Sequence, residues 1–189
     1  REHLGIAYVL VMSSGTAFLL LVATLLFFRE PARPADTPPP APMSRIVADM
    51  FRVFGNARFM AFLVIFSGFW AMFWQVFYAL PFYVRDVLAF PRLELTEVVN
   101  AWTIIFVPVP ATALAKKLAP IRAMTLGFAL ASLSWFVMGT FPVLPLTIAA
   151  IVVFGIGEAT QAPRYYEYVA DLAPKEQVGT YMGFAFLPI

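Results

Sequence analysis

The sequence has no cysteine and a single histidine, His3, and it carries only 13 Lys and Arg and 11 Asp and Glu among 189 residues. Without cysteine there are no disulfides and no thiolate ligands, and one imidazole is too little for a zinc centre or for histidine-based acid–base chemistry. Charged residues make up 13% of the chain, too few to cover the surface of a soluble fold of this size. No P-loop, HExxH or GxSxG string occurs, nor any paired-carboxylate or Ser/His constellation, so the residues speak against an enzyme and call for no cofactor. The net charge of +2 and the pI near 9.1 do not indicate a nucleic-acid partner, because the basic residues are scattered through short loops and form no stripe.

What fills the chain instead is hydrocarbon. Hydrophobic residues make up 61% and the mean hydropathy is +0.81, a composition that belongs in a bilayer. A helix rises 1.5 Å per residue, so crossing the hydrocarbon core takes roughly 20 apolar residues. Five stretches meet that length: Leu4 to Phe28, Phe59 to Val84, Val98 to Leu118, Ile121 to Thr140 and Leu144 to Tyr165. A sixth begins near Gln177 and is cut off. Blocks such as VLVMSSGTAFLLLVATLLFF and LTIAAIVVFGIG are continuous, whereas barrel strands would alternate over about ten residues. The fold class expected is therefore all-α, a polytopic transmembrane helical bundle. Its connections AFPRLELTE, LAPIRA, GTFPVLP and DLAPKEQVG are short and rich in helix breakers, as antiparallel neighbours require. The opening REHLGIAYVL and the ending GFAFLPI suggest a piece of a longer protein.

One connection differs. REPARPADTPPPAP holds six prolines in fourteen residues, which excludes a continuing helix and marks a linker. The following MSRIVADMFRVFG repeats Met43, Ile46, Val47, Met50, Phe51 and Phe54 at helical spacing, with Arg45, Asp49 and Arg52 on the other side. Such a helix either lies on the membrane surface or docks against the bundle. Lys and Arg divide unevenly between alternate loops: Arg29, Arg33, Arg45, Arg52, Arg58, Lys116, Lys117, Arg122 and Lys175 on one side, Arg1, Arg85 and Arg92 on the other. The positive-inside rule then places the proline-rich linker in the cytoplasm, at the inner face of the cell membrane.

Polar groups inside the spans carry the chemistry, since a carboxylate at the bilayer centre costs at least about 2.5 kcal/mol on insertion scales. Glu158 stands in VVFGIGEATQAPRYYEYV, with Gln161 one turn on and Tyr165 two turns on, a spacing that predicts one polar face. Gly155 and Gly157 before it and Pro163 after it weaken the local backbone pairing, as happens beside cavities and helix contacts. Glu158 either binds a cationic substrate group or takes part in proton coupling, or it serves only to hold helices together. In SGFWAMFWQVFYALPFYV, Gln75 lies among Trp70, Trp74 and Tyr78, an aromatic wall with one amide that suits an organic ligand and equally suits packing against lipid. Asn100 and Trp102 near the outer end of the third span are further candidates, although Asn100 can also serve as an interhelical hydrogen-bonding group. Arg164 and Glu167, at i,i+3, can form an ion pair or a gate near the cytoplasmic end. Pro108 and Pro110 in the third span and Pro81 in the second mark kinks that rocking helices can use.

With these residues laid out, the chain resembles the central and C-terminal part of a major facilitator superfamily transporter, the long linker after a sixth helix being the anchor. More narrowly it is similar to the proton-coupled oligopeptide transporter group, through FWAMFWQ, VVNAWTIIFVPVPA and GIGEATQAPRYYEYVADLAPKEQVGTYMG. The resemblance implies that Glu158 matches an acidic residue engaged in peptide binding, with Pro163, Glu167, Ala173 and Pro174 in register. Ala162, Arg164 and Tyr165 depart from the group's pattern. The domains implied are residues 1–28, the last helix of the N-terminal half; 29–57, a cytoplasmic linker with an amphipathic helix; and 58–189, a C-terminal half cut short. The function implied is secondary active transport by alternating access, with protons and a peptide or similar organic solute as partners alongside the lipid bilayer. A carrier of a sugar, nucleoside or drug, or a non-transporting sensor or scaffold, are the alternatives.

Overall fold

The computed structural model describes residues 2–29 and 42–189 in two compact units; most of the proline-rich linker lies outside the described residues. The first unit is one helix, α1 (Glu2–Phe27). Its segment Ala7–Phe27 has a mean hydropathy of 2.2 and is apolar all round. Thr16 and Thr24 donate their hydroxyls to the carbonyls of Met12 and Leu20 one turn back, at 2.9 and 2.8 Å, so that these two hydroxyls are paired within the helix.

The second unit begins with α2 (Met43–Phe54) and α3 (Ala57–Tyr78). Asn56 joins them: its side chain accepts from the Phe59 N–H at 3.1 Å as the N-cap of α3 and donates to the Tyr181 hydroxyl at 2.9 Å. The amphipathic helix docks by its last turn, where Val53 is fully buried and the Phe54 ring meets Phe184 edge-on at 5.1 Å. Met43 and Phe51 stay exposed.

Helix α3 stops at Ala79, before Pro81, and the chain continues through α4 (Leu80–Phe82) into a π-helical turn, Tyr83–Val87. Two residues past that turn, Ala89 has a φ of 49°, a left-handed conformation usually left to glycine. Next come α5 (Leu93–Phe106) and α6 (Pro108–Ala115), bent by 50° across the single residue Val107. Pro108 and Pro110 explain the bend, since neither can donate to the preceding turn and each ring crowds the carbonyl four residues back.

Helices α7 (Pro120–Thr140) and α8 (Leu144–Leu172) pack tightly along small residues. A Cβ on Gly127 would lie 2.6 Å from the Gly157 carbonyl oxygen, and one on Gly157 would lie 2.7 Å from the Gly127 carbonyl oxygen. Side-chain-free backbones are what let these helices touch. The short α9 (Val178–Phe184) closes the described chain. The core is aromatic: Phe66 and Phe69 of α3 meet Phe128 of α7, Phe154 of α8 stacks against Phe69, and Tyr165 of α8 stacks on Phe66 at 3.9 Å. Outward-facing side chains such as Val64, Ile65, Leu133 and Phe136 are apolar and exposed, the inverse of a soluble surface and the normal state of a lipid-facing one. Among the described residues, four helices are long and apolar enough to cross a membrane, five with the bent α5–α6 pair taken as one span. The expected all-α transmembrane bundle is what the chain forms.

Candidate functional site

The centre of α8 combines a carboxylate with two glycines, and the glycines decide what surrounds it. At Gly155 a Cβ would fall 2.4 Å from Thr103 Cγ2, so hydrogen at this position lets α5 cross α8 closely. Just beyond that crossing the α5–α6 bend swings the chain away, and a cavity of about 160 Å³ remains between the bend and α8. Glu158 lines it together with Ile104, Pro108 and Thr112 from the bent pair and Gly155, Ala159, Ala162 and Pro163 from α8. The Glu158 side chain is half-buried, and its Oε2 is shielded with no hydrogen-bond partner. An unpaired carboxylate oxygen in a transmembrane helix is costly, a cost that either protonation or a cationic ligand offsets.

The predicted polar face does not hold together. Gln161, 1% exposed, is pressed into the α7–α8 crossing, where its Cβ would sit 2.7 Å from any Cβ on Gly127. Tyr165 points into the aromatic core and donates its hydroxyl to the Ala185 carbonyl at 2.7 Å. Residues three apart on a helix are separated by about 60° around its axis, which suffices here to turn Glu158 toward α5–α6 and Gln161 toward α7.

The aromatic set on α3 lies apart from the cavity as well. Gln75 is exposed and donates to the Ala71 carbonyl of its own helix at 3.2 Å. Trp74 donates its indole N–H to the Ile189 carbonyl at 3.0 Å, and Tyr78, largely exposed, stacks on Trp74 at 6.0 Å. Trp70 packs against Phe69 and Phe73, with its shielded indole N–H unpaired. Asn100 is buried with its Oδ1 unpaired, while Trp102 stacks on Phe106 at 5.2 Å and is exposed. None of these residues shares the Glu158 cavity.

Arg164 and Glu167 do pair, and the pairing is part of a larger clamp. The Arg164 guanidinium, 7% exposed as a residue, reaches Glu167 on its own helix and donates to the carbonyls of Leu118 and, at 3.4 Å, Lys116 in the turn after α6. Those carbonyls belong to the turn just past the end of α6, and a planar multi-donor cation suits two of them at once better than an ammonium. A larger cavity of about 700 Å³ lies between α2 and α9, lined by Ile46, Met50, Phe54, Phe184 and Leu187 among others. It holds no ionisable group, so the chemistry belongs to the smaller one.

The residues that sequence reasoning missed are Ile104 and Thr112. A signal for both was present, because Ile104, Pro108 and Thr112 follow one another at i,i+4 and share a helix face, with the proline freeing the first carbonyl.

The sequence model described as the Major Facilitator Superfamily matches residues 2–187. No curated protein and no solved structure matches the chain.

Proposed function

The chain belongs to the Major Facilitator Superfamily and is therefore a membrane transporter, and we propose that it takes up small peptides or similar organic solutes together with protons by alternating access. The observation that carries this reading is the carboxylate of Glu158, with one oxygen unpaired, in a cavity against a proline-broken helix. A carboxylate there can bind the ammonium of a peptide or receive the co-transported proton, and the 50° break beside it gives the surrounding helices somewhere to move. The Arg164 clamp ties α8 to the α6–α7 turn at the end assigned to the cytoplasm, where an inward-opening carrier needs a contact it can make and break. The cell membrane, with the proline-rich linker on its cytoplasmic side, is the location that goes with this reading.

The test is uptake of a labelled dipeptide by proteoliposomes, with and without an inward proton gradient. Gradient-driven uptake should fall at least about tenfold in Glu158→Gln, the loss of roughly 1.4 kcal/mol or more of stabilisation, with the melting temperature unchanged. Wild-type uptake by that variant would remove Glu158 from the mechanism. Folded protein that moves a sugar, nucleoside or drug but no peptide would replace the substrate and keep the carrier.

A further inference from the structure

Pro108 has no N–H, so the carbonyl of Ile104 has no donor four residues along the chain, and both residues line the Glu158 cavity. A freed carbonyl at transmembrane depth is tolerated where it faces a polar occupant. Thr112, one turn further, also lines the cavity. The hydroxyls of Thr103, Thr147 and Thr160 donate back to carbonyls of their own helices. Thr112 makes no such bond, and its hydroxyl remains available to the cavity. The residues around one small space thus carry three kinds of hard oxygen: a carboxylate, a main-chain carbonyl released at a helix break, and a hydroxyl. The other lining residues are uncharged, and no ammonium or guanidinium occupies the position opposite Glu158.

We propose that this cavity binds an alkali-metal cation, sodium, through the Glu158 carboxylate, the Ile104 carbonyl and the Thr112 hydroxyl, with water completing the shell. One carboxylate balances one positive charge, whereas a divalent ion would leave an uncompensated charge in a medium of low dielectric constant. The volume of about 160 Å³ corresponds to roughly five waters at about 30 Å³ each, enough for an ion and part of its hydration. Broken transmembrane helices that offer carbonyls to monovalent ions are a general solution to burying such an ion. The proposal deepens the transport reading of the same cavity and rests on Glu158 being a ligand group.

The experiment is equilibrium dialysis of the purified protein against radiolabelled sodium at alkaline pH, with choline keeping ionic strength constant, alongside melting curves in the two salts. Saturable binding of a single ion per chain is expected, with melting a few degrees higher in sodium than in choline. Glu158→Gln should weaken binding by at least about tenfold, the scale on which metal sites respond to loss of a supporting group. Thr112→Val, which preserves shape, should weaken it severalfold while the melting temperature in choline stays put. Absence of saturable binding by protein that melts cooperatively overturns the proposal, and so does binding that survives both substitutions. Neither result touches peptide uptake, and failure of peptide uptake leaves sodium binding to be judged on its own.

Discussion

At Gly157 the difference between a hydrogen and a methyl group decides how close two helices come. A Cβ there would meet the Gly127 carbonyl oxygen at 2.7 Å and the Ala131 nitrogen at 3.1 Å, both backbone atoms that cannot swing aside. Gly157→Ala should therefore destabilise the protein by about 1–3 kcal/mol, the cost of overpacking a tight contact. Gly68 in α3 supplies the control, because a Cβ on it meets nothing within 4 Å. Gly68→Ala should be neutral or stabilising by up to about 1 kcal/mol through helix propensity. Melting in detergent micelles checks both, and equal effects at the two positions would contradict the packing argument. The same crossing bears on the candidate site: with Gly157 and Gly127 in contact, Gln161 has only the α7 seam to enter, and Glu158 on the other flank is left to the α5–α6 bend.

Among the elements, α8 and the turn after α6 are joined through one side chain. Arg164→Gln removes the ion pair to Glu167 and the donors to the Leu118 and Lys116 carbonyls, which should cost about 1–3 kcal/mol, the penalty for polar groups left unpaired. Arg164→Lys should recover only part of it, since a single ammonium cannot serve two carbonyls and a carboxylate in the guanidinium's geometry. Faster proteolysis at the α6–α7 turn in the Gln variant, intermediate in the Lys variant, is the expected readout; cleavage unchanged in both would reduce the clamp to a surface pair.

How much of this was legible in the sequence differs between elements and sites. The spans were readable because lipid demands continuous apolar runs, and the break at Pro108 because a proline cannot donate. The pairing of Arg164 with Glu167 followed from spacing alone. The Glu158–Gln161–Tyr165 face was misjudged because spacing places a residue on a helix but does not say which neighbour lies opposite. That depended on Gly127 in α7, Thr103 in α5 and Phe66 in α3, each brought to α8 by packing over long sequence separations. The carbonyl of Ile104 escaped notice because it is a backbone group, marked only indirectly by Pro108 four residues along the chain.

On the scale of the whole molecule, charge decides orientation where hydropathy cannot. Spans in a bilayer are nearly as apolar at one end as at the other, and the bias lies at their ends, with Lys116 and Lys117 after α6 and Arg122 in the first turn of α7 on one side, and Arg85 in the π-helical turn and Arg92 just before α5 on the other. The former group should face the cytoplasm. No cysteine occurs among these 189 residues, so a single introduced thiol meets no competing thiol within them. Arg92→Cys should react with a membrane-impermeant maleimide in intact cells, and Lys117→Cys only in inverted vesicles. Lys117 is exposed in the turn that Arg164 holds, so its thiol should also react faster once Arg164 is replaced by Gln. Labelling of the two positions from the opposite sides would turn the molecule over, moving the clamp to the outer face and making it a gate on entry from outside the cell. Labelling of both from one side would break the α5–α6 pair into a re-entrant loop, and the cavity beside Glu158 would then lie at the tip of that loop, within the depth of the membrane.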